Sequence, residues 1–158
     1  MTQEYTYYFA YGSNACEKRL QKRLSRDGEK AYEKIPAVLN NKKLVFNKKS
    51  RQNPELGYPS FIDVEGSILY GALYEVTMNG IYSLDSYEMY PHYYRRIMLE
   101  IETTDGEIIE AWVYIANPSK ISENLKPSKD YLKWMILSND ILPDELIEEL
   151  KSLETVDD

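Results

Sequence analysis

Apolar and polar positions along the chain alternate in two different rhythms. The first clear element is an aromatic and β-branched run, residues 5–11, that breaks abruptly into glycine, serine and asparagine at Gly12-Ser13-Asn14. Such content predicts a strand. Asn14 followed three residues later by Glu17 then predicts a capped helix over roughly residues 15–26. Short strands are expected at residues 35–38 and 44–46, followed by a loop over residues 50–60 punctuated by Pro and Gly. The run SILYGALYEV, residues 67–76, reads as a longer strand, and Thr77 is placed to cap a short helix toward Leu84. Residues 95–103 and 107–115 form two strand patterns around Asp105-Gly106, a strong hairpin signal. Ser128 is placed to cap a helix reaching about Leu137, and Pro143 stands where a first helical residue is tolerated, opening a last helix through Leu153. The acidic end, ETVDD, is expected to fray. Several strands, three or four helices and an antiparallel hairpin make an α+β chain without repeats or a low-complexity linker.

Length and charge narrow the functional classes. With 158 residues the chain fits one domain, residues 1–158, large enough to hold its own core without a disulfide or metal staple. A formal net charge of -7 argues against nucleic acid as a partner, because phosphate binding is driven by clustered Lys and Arg that displace counterions. The most basic stretch, KKLVFNKKSR at residues 42–51, reads as a strand with solvated flanks and a loop. One cysteine, Cys16, excludes an intrachain disulfide, and with one histidine, His92, it cannot build a zinc site of the usual kind, although carboxylates could still hold a hard cation. Neither a signal-peptide pattern nor a run of membrane-spanning length is present, so a cytoplasmic protein without a membrane partner is expected.

Two segments carry candidate chemistry. A strand, a Gly-Ser loop and a helix N-terminus present backbone N–H groups and partial positive charge, which suits a carboxylate or an oxyanion; the same pattern also serves as a plain tight turn with a cap. In the segment LDSYEMYPHYYRR, residues 84–96, Glu88 lies among aromatic residues just past the expected helix. Desolvation there would raise its pKa toward the range where a carboxyl both takes and gives a proton near neutrality. The alternative is a surface carboxylate paired with Arg95 or Arg96. Cys16 near the helix start and His92 are a conceivable nucleophile and base, but nothing in the sequence brings them together, and a free cysteine is more often a small buried hydrophobe. Most of the 15 tyrosines read as amphipathic packing, and Trp112 and Trp134 as core residues of a strand and a helix.

These segments, taken in order, resemble the gamma-glutamylcyclotransferase (AIG2-like) family. YFAYGSN at residues 8–14 is similar to its signature strand and loop, YGALYEV at residues 70–76 to a GxxYEV strand, and LDSYE followed by Tyr94-Arg95 to its LDxxE...Y-R segment. PSKDYL and ILPDELIEEL are similar to its closing segments, so the resemblance spans nearly the whole chain. It implies a mixed β-barrel with flanking helices around a small cavity. It also implies an acyltransferase or lyase-type cyclisation that releases 5-oxoproline and a free amino acid or amine from a small L-γ-glutamyl compound. By the same resemblance Glu88 is the general acid/base, and Phe9, Tyr11, Gly12, Ser13, Asn14, Tyr94 and Tyr131 are substrate-binding residues, with no metal and no cofactor. The chain departs from the family pattern at Ala15-Cys16, where Leu is common, and at Met89, where many members carry Gly. Both departures bear on pocket shape and leave proton-transfer groups in place. A non-catalytic module that binds a glutamyl-like ligand on the same fold is the competing expectation.

Overall fold

In the computed structural model, which describes residues 4–158, the opening aromatic run is strand β1 (Tyr5–Ala10). A 3₁₀ turn, Ser13–Ala15, leads into helix α1 (Glu17–Ser25). The expected helix start at residue 15 is therefore corrected: Cys16 occupies the cap position, and the Asn14 side chain makes no capping bond because it is drawn into the interior.

Strands β2 (Lys34–Lys49) and β3 (Gly57–Thr77) form one long antiparallel hairpin, where the pattern predicted two short strands and a loop reaching residue 60. Their register runs from Lys34 opposite Tyr74 to Lys49 opposite Gly57, with irregularities between Asn40 and Lys42 and between Val45 and Lys48. Each irregularity re-aims the side chains beyond it, which is how a strand with so many polar residues stays continuous. One result corrects the expectation that the flanks of this strand at residues 42–51 are solvated: Lys48 is only 6% exposed.

Thr77 ends β3 and caps helix α2 (Met78–Glu88), its side chain accepting the Gly80 N–H at 3.0 Å. This helix runs one turn further than Leu84, so Glu88 is its last residue, and Met89 leaves it in the left-handed conformation. Strands β4 (Tyr94–Thr103) and β5 (Ile108–Ala116) make the expected hairpin, with Gly106 at φ +86° in the turn, a conformation that favours glycine. Ser128 caps helix α3 (Lys129–Ile136) through the Tyr131 N–H, and Pro143 precedes helix α4 (Asp144–Ser152) as its cap residue.

The five strands close into a barrel in the order β1-β3-β2-β4-β5; β1 pairs antiparallel with β3 and meets β5 in parallel at Tyr8 and Trp112. Alternation along each strand gives the barrel two apolar faces. Phe9, Leu39, Leu73, Ile101 and Val113, one from each strand, belong to one buried cluster. Tyr8, Tyr74 and Tyr114, from the opposite faces of β1, β3 and β5, pack with Leu20 and Leu24 of α1 and Ile81 and Leu84 of α2. Complete burial of a Leu or Phe contributes about 1.5–3 kcal/mol, so these clusters hold the helices firmly on the barrel. Leu132 and Met135 of α3 join Ile147 and Leu150 of α4 in a third cluster.

The C-terminal segment differs from expectation as well. Thr155 is buried, the Val156 N–H donates to the Pro127 carbonyl at 3.0 Å, and the Asp157 carboxylate accepts the Lys129 N–H at 2.8 Å. A carboxylate at the first turn of α3 is favoured by the helix dipole. Among the described residues no helix is long and apolar enough to cross a membrane.

Candidate active site

Beyond Ala10 the chain turns through Tyr11 and Gly12 into the 3₁₀ turn and packs against α3. The Tyr131 hydroxyl accepts the Ser13 N–H at 2.9 Å, and a Cβ on residue 12 would stand 2.5 Å from that same oxygen. Glycine is needed here for close approach; its φ of -109° is open to any residue. Asn14 is clamped from both sides. Its amide donates to the Tyr8 hydroxyl at 3.1 Å, its side-chain carbonyl accepts from Arg23 Nη1 at 3.1 Å, and its main-chain carbonyl accepts from the Tyr74 hydroxyl at 3.0 Å. The loop is therefore a rigid platform. The amides of Gly12 and Asn14 have no acceptor among the described residues, which leaves them as donors for a ligand.

Helix α2 delivers Glu88 to this platform. The alternative of an ion pair with Arg95 or Arg96 is not what forms: Arg96 grips Asp85 one turn earlier, Nε to Oδ1 at 2.9 Å and Nη2 to Oδ2 at 3.1 Å, while Arg95 is exposed. The Tyr114 hydroxyl also donates to Asp85, at 2.6 Å. Asp85 thus absorbs the nearby cation of β4, and Glu88 remains partly buried without a hydrogen-bond partner among the described residues.

All eight residues singled out in the sequence come together. Phe9, Tyr11, Gly12, Ser13, Asn14, Glu88, Tyr94 and Tyr131 line one recess of about 40 Å³, together with Tyr8, Pro59 and Tyr114. Through Ser13, Glu88, Tyr94 and Tyr131, which belong to both walls, the recess adjoins an outer cavity of about 340 Å³. Cys16 is buried at the start of α1 and His92 is exposed in the turn after α2; neither lines the recess. Trp112 and Trp134 are half-buried, with the guanidinium groups of Arg96 and Arg19 over their rings at 4.5 and 4.9 Å. Among the described residues no cluster of three or more His, Cys, Asp or Glu is placed to hold a metal.

The recess sorts its polar groups by protonation. Burial pushes the Glu88 carboxyl up to about 7, against the opposing pull of Arg23, Lys48 and Arg19. Burial also drives Tyr8, Tyr11, Tyr94 and Tyr131 upward from the ordinary tyrosine range, so they stay protonated at neutral pH. Glu88 is the one wall residue of the recess that changes charge near neutrality. The tyrosines further divide by where their protons go. Tyr11 donates to the Tyr114 carbonyl and Tyr94 to the Pro59 carbonyl, both at 2.7 Å, so these two are fixed walls. The hydroxyls of Tyr8 and Tyr131 accept from Asn14 and Ser13, which leaves their own protons to point elsewhere.

Sequence reasoning missed Tyr8, Tyr114 and Pro59 in the recess, and Arg19, Arg23, Lys48 and Arg51 in the outer cavity. For Tyr8 the signal was available, since it stands in the same strand motif as Phe9 and Tyr11.

Comparison with known proteins shows the family and the fold. Residues 8–134 match the family model described as Gamma-glutamyl cyclotransferase, AIG2-like. A curated protein of Halalkalibacterium halodurans named "Putative gamma-glutamylcyclotransferase BH1612" is 35% identical over 86 residues, 50% of this chain and 74% of its own length. Among solved structures, a gamma-glutamyl cyclotransferase superimposes with a TM-score of 0.82 at 25% identity, over 98% of this chain and 91% of its own. The human protein loc79017, described as uncharacterized, gives 0.81 at 26% identity, over 99% and 92%. YkqA of Bacillus subtilis shares the fold, with a TM-score of 0.78 at 21% identity over 96% of this chain and 56% of its own.

Proposed function

The chain belongs to the gamma-glutamyl cyclotransferase, AIG2-like family, and from that premise we propose that it cyclises small L-γ-glutamyl compounds, releasing 5-oxoproline and a free amino acid or amine, with Glu88 as general acid/base. The observation that carries this reading is Glu88 itself: a carboxyl pushed up to about 7, without a protein partner among the described residues, on the wall of a recess beside unspent amides.

The reaction moves protons from one nitrogen to another. The α-ammonium, with a pKa of about 8, is no nucleophile until it loses a proton. Glu88 in its ionised form takes that proton, and the free amine attacks its own side-chain carbonyl to give a tetrahedral carbon. As the C–N bond to the leaving group breaks, the departing nitrogen must be protonated, and Glu88, now neutral, supplies the proton. The attacking nitrogen loses two protons on its way from ammonium to lactam N–H and the departing nitrogen gains two on becoming an ammonium, so Glu88 makes this take-and-give exchange twice and ends ionised, as it began. A carboxyl with a pKa near 7 is suited to both directions of transfer, whereas the neighbouring tyrosines hold their protons too tightly to act as the base.

No covalent intermediate with the protein is needed, because nucleophile and carbonyl share one molecule. Such tethering reaches effective molarities on the order of 10⁵ M or more when the geometry is held. Holding that geometry falls to the rigid loop: the amides of Gly12 and Asn14 and the hydroxyl protons of Tyr8 and Tyr131 are the donors available for the substrate carboxylate or the developing oxyanion. The domain reading, one gamma-glutamylcyclotransferase-like unit over residues 1–158 in a cytoplasmic setting without metal or cofactor, goes with this proposal. The test is incubation with a panel of γ-glutamyl dipeptides and γ-glutamyl amines, with 5-oxoproline measured as product. Formation of 5-oxoproline from any member supports the enzyme; binding without product from every member would make the chain a binding module instead.

A further inference from the structure

The outer cavity differs from the rest of the protein in charge. In a chain of formal net charge -7, four cations, Arg19, Arg23, Lys48 and Arg51, stand on this wall against a single carboxyl, Glu88. Three of the four have protein partners. Arg19 Nε donates to Ser13 Oγ at 2.9 Å, Arg23 to Asn14, and Arg51 Nη1 approaches the Met89 sulfur at 3.6 Å.

Lys48 is different. It is 6% exposed, its ammonium has no hydrogen-bond or ion-pair partner among the described residues, and it faces the rings of Tyr58, Tyr93 and Tyr94 at 5.2, 4.6 and 5.2 Å. The register irregularity before it in β2 turns it inward, opposite Tyr58 of β3. Ring faces stabilise a cation partially, and a buried charge is ordinarily matched by an opposite one. Lys48 has no such partner in contact: burial disfavours its charge, the Glu88 carboxyl attracts it across the cavity without a hydrogen bond or ion pair, and Arg51 and Lys120 repel it. An anion entering the cavity would supply the missing contact.

Resting on the cyclotransferase reading above, we propose that the Lys48 ammonium, held in its ring of tyrosines, receives the carboxylate of the leaving amino acid, so that this chain takes γ-glutamyl amino acids and peptides in preference to γ-glutamyl amines. The placement follows from substrate chemistry. In a γ-glutamyl amino acid the carboxylate hangs one carbon from the departing nitrogen, the atom that Glu88 must reach, and Glu88 and Lys48 are walls of the same cavity. A γ-glutamyl amine has no charge at that point. Lys48 then touches the half of the substrate that departs, whereas the Gly12 to Asn14 loop serves the half that cyclises.

The test uses two ligands that differ by this carboxylate alone, γ-glutamyl-alanine and γ-glutamyl-ethylamine. Titration calorimetry on the Glu88→Gln protein measures binding without requiring turnover. The expected result is at least tenfold tighter binding of γ-glutamyl-alanine, falling to within about twofold when Lys48→Met is added and largely restored by Lys48→Arg, in line with the usual strength of a charge-assisted hydrogen bond. If the Glu88→Gln protein binds both ligands equally or binds neither, the assignment fails, with no Lys48 variant needed. Preference that survives Lys48→Met in protein that still melts cooperatively overturns it too and moves the recognition to the arginines. A lysine that merely adjusts the charge of Glu88 would leave the ratio between the two ligands unmoved. The parent reading fails separately: wild-type protein that discriminates in binding but makes no 5-oxoproline from either ligand removes the cyclotransferase proposal and leaves Lys48 as an anion receptor.

Discussion

The inner recess and the outer cavity share four wall residues but are built from opposite materials. The recess is a shell of tyrosines whose hydroxyls are neutral, with one carboxyl that titrates near neutrality. Around the outer cavity stand cations, two of them, Arg19 and Arg23, projected from α1 and two, Lys48 and Arg51, carried by the end of β2 and the loop after it. A low-dielectric shell raises the pKa of the carboxyl and so prepares proton transfer; a cationic wall cannot do that, and instead selects by charge. On the proposed reading, chemistry and selectivity occupy separate layers, with Glu88 lining both.

Perturbing the recess should cost turnover and perturbing the outer wall should shift preference. The largest effect is expected from Glu88→Gln, which keeps shape and removes the exchangeable proton: 5-oxoproline formation should fall by about 10²–10⁴-fold while binding persists, as steady-state kinetics beside calorimetry would read. Near-normal turnover would take Glu88 out of its role.

Next comes Gly12→Ala. Its methyl would contact the Tyr131 oxygen at 2.5 Å, and moving that ring releases the Ser13 N–H. A loss of roughly tenfold in kcat/KM and about 1–2 kcal/mol in stability is expected, the latter read by denaturant unfolding. A Tyr94→Phe change should act on stability alone, by about 1–2 kcal/mol, since its hydroxyl proton is spent on the Pro59 carbonyl; Tyr8→Phe should instead lower turnover, as its proton is unspent.

A pH-dependent stability difference is read separately from these losses. Glu88 has a folded pKa raised above the unfolded value, so the folded state binds the extra proton between about 4.5 and 7. Wild-type stability therefore declines as pH rises through this window, with the full penalty present above 7 and none below 4.5. Glu88→Gln should melt higher than wild type at pH 8 and equally with it at pH 4, with a gap of at most about 3 kcal/mol.

Much of the fold and of the inner recess was legible in the sequence where local chemistry decides. Gly12, the Thr77 and Ser128 caps and the Asp105-Gly106 turn announce themselves through side chains that act on their own backbone. Where pairing across the barrel decides, the sequence was opaque. Asn40-Asn41 and Lys42-Lys43 fall between the two expected short strands, yet β2 runs through them because β3 supplies partners on either side of an irregularity. Asn14 has the spacing of a cap but is pulled inward by Tyr8 and Arg23, residues on separate elements. Lys48 carries the local pattern of a solvated lysine. Its burial depends on an irregularity in register and on three tyrosines contributed by two other segments, neither of which is encoded near it. The recess residues were legible because they lie in short motifs, whereas the outer cations are scattered.

The account rests on a carboxyl that changes its proton near neutrality, and carbon-13 NMR of protein labelled at glutamate side-chain carboxyls measures this directly. The Glu88 resonance, identified by its loss in Glu88→Gln, should titrate with a midpoint of about 7. A midpoint in the ordinary carboxylate range, near 4.5, would contradict it.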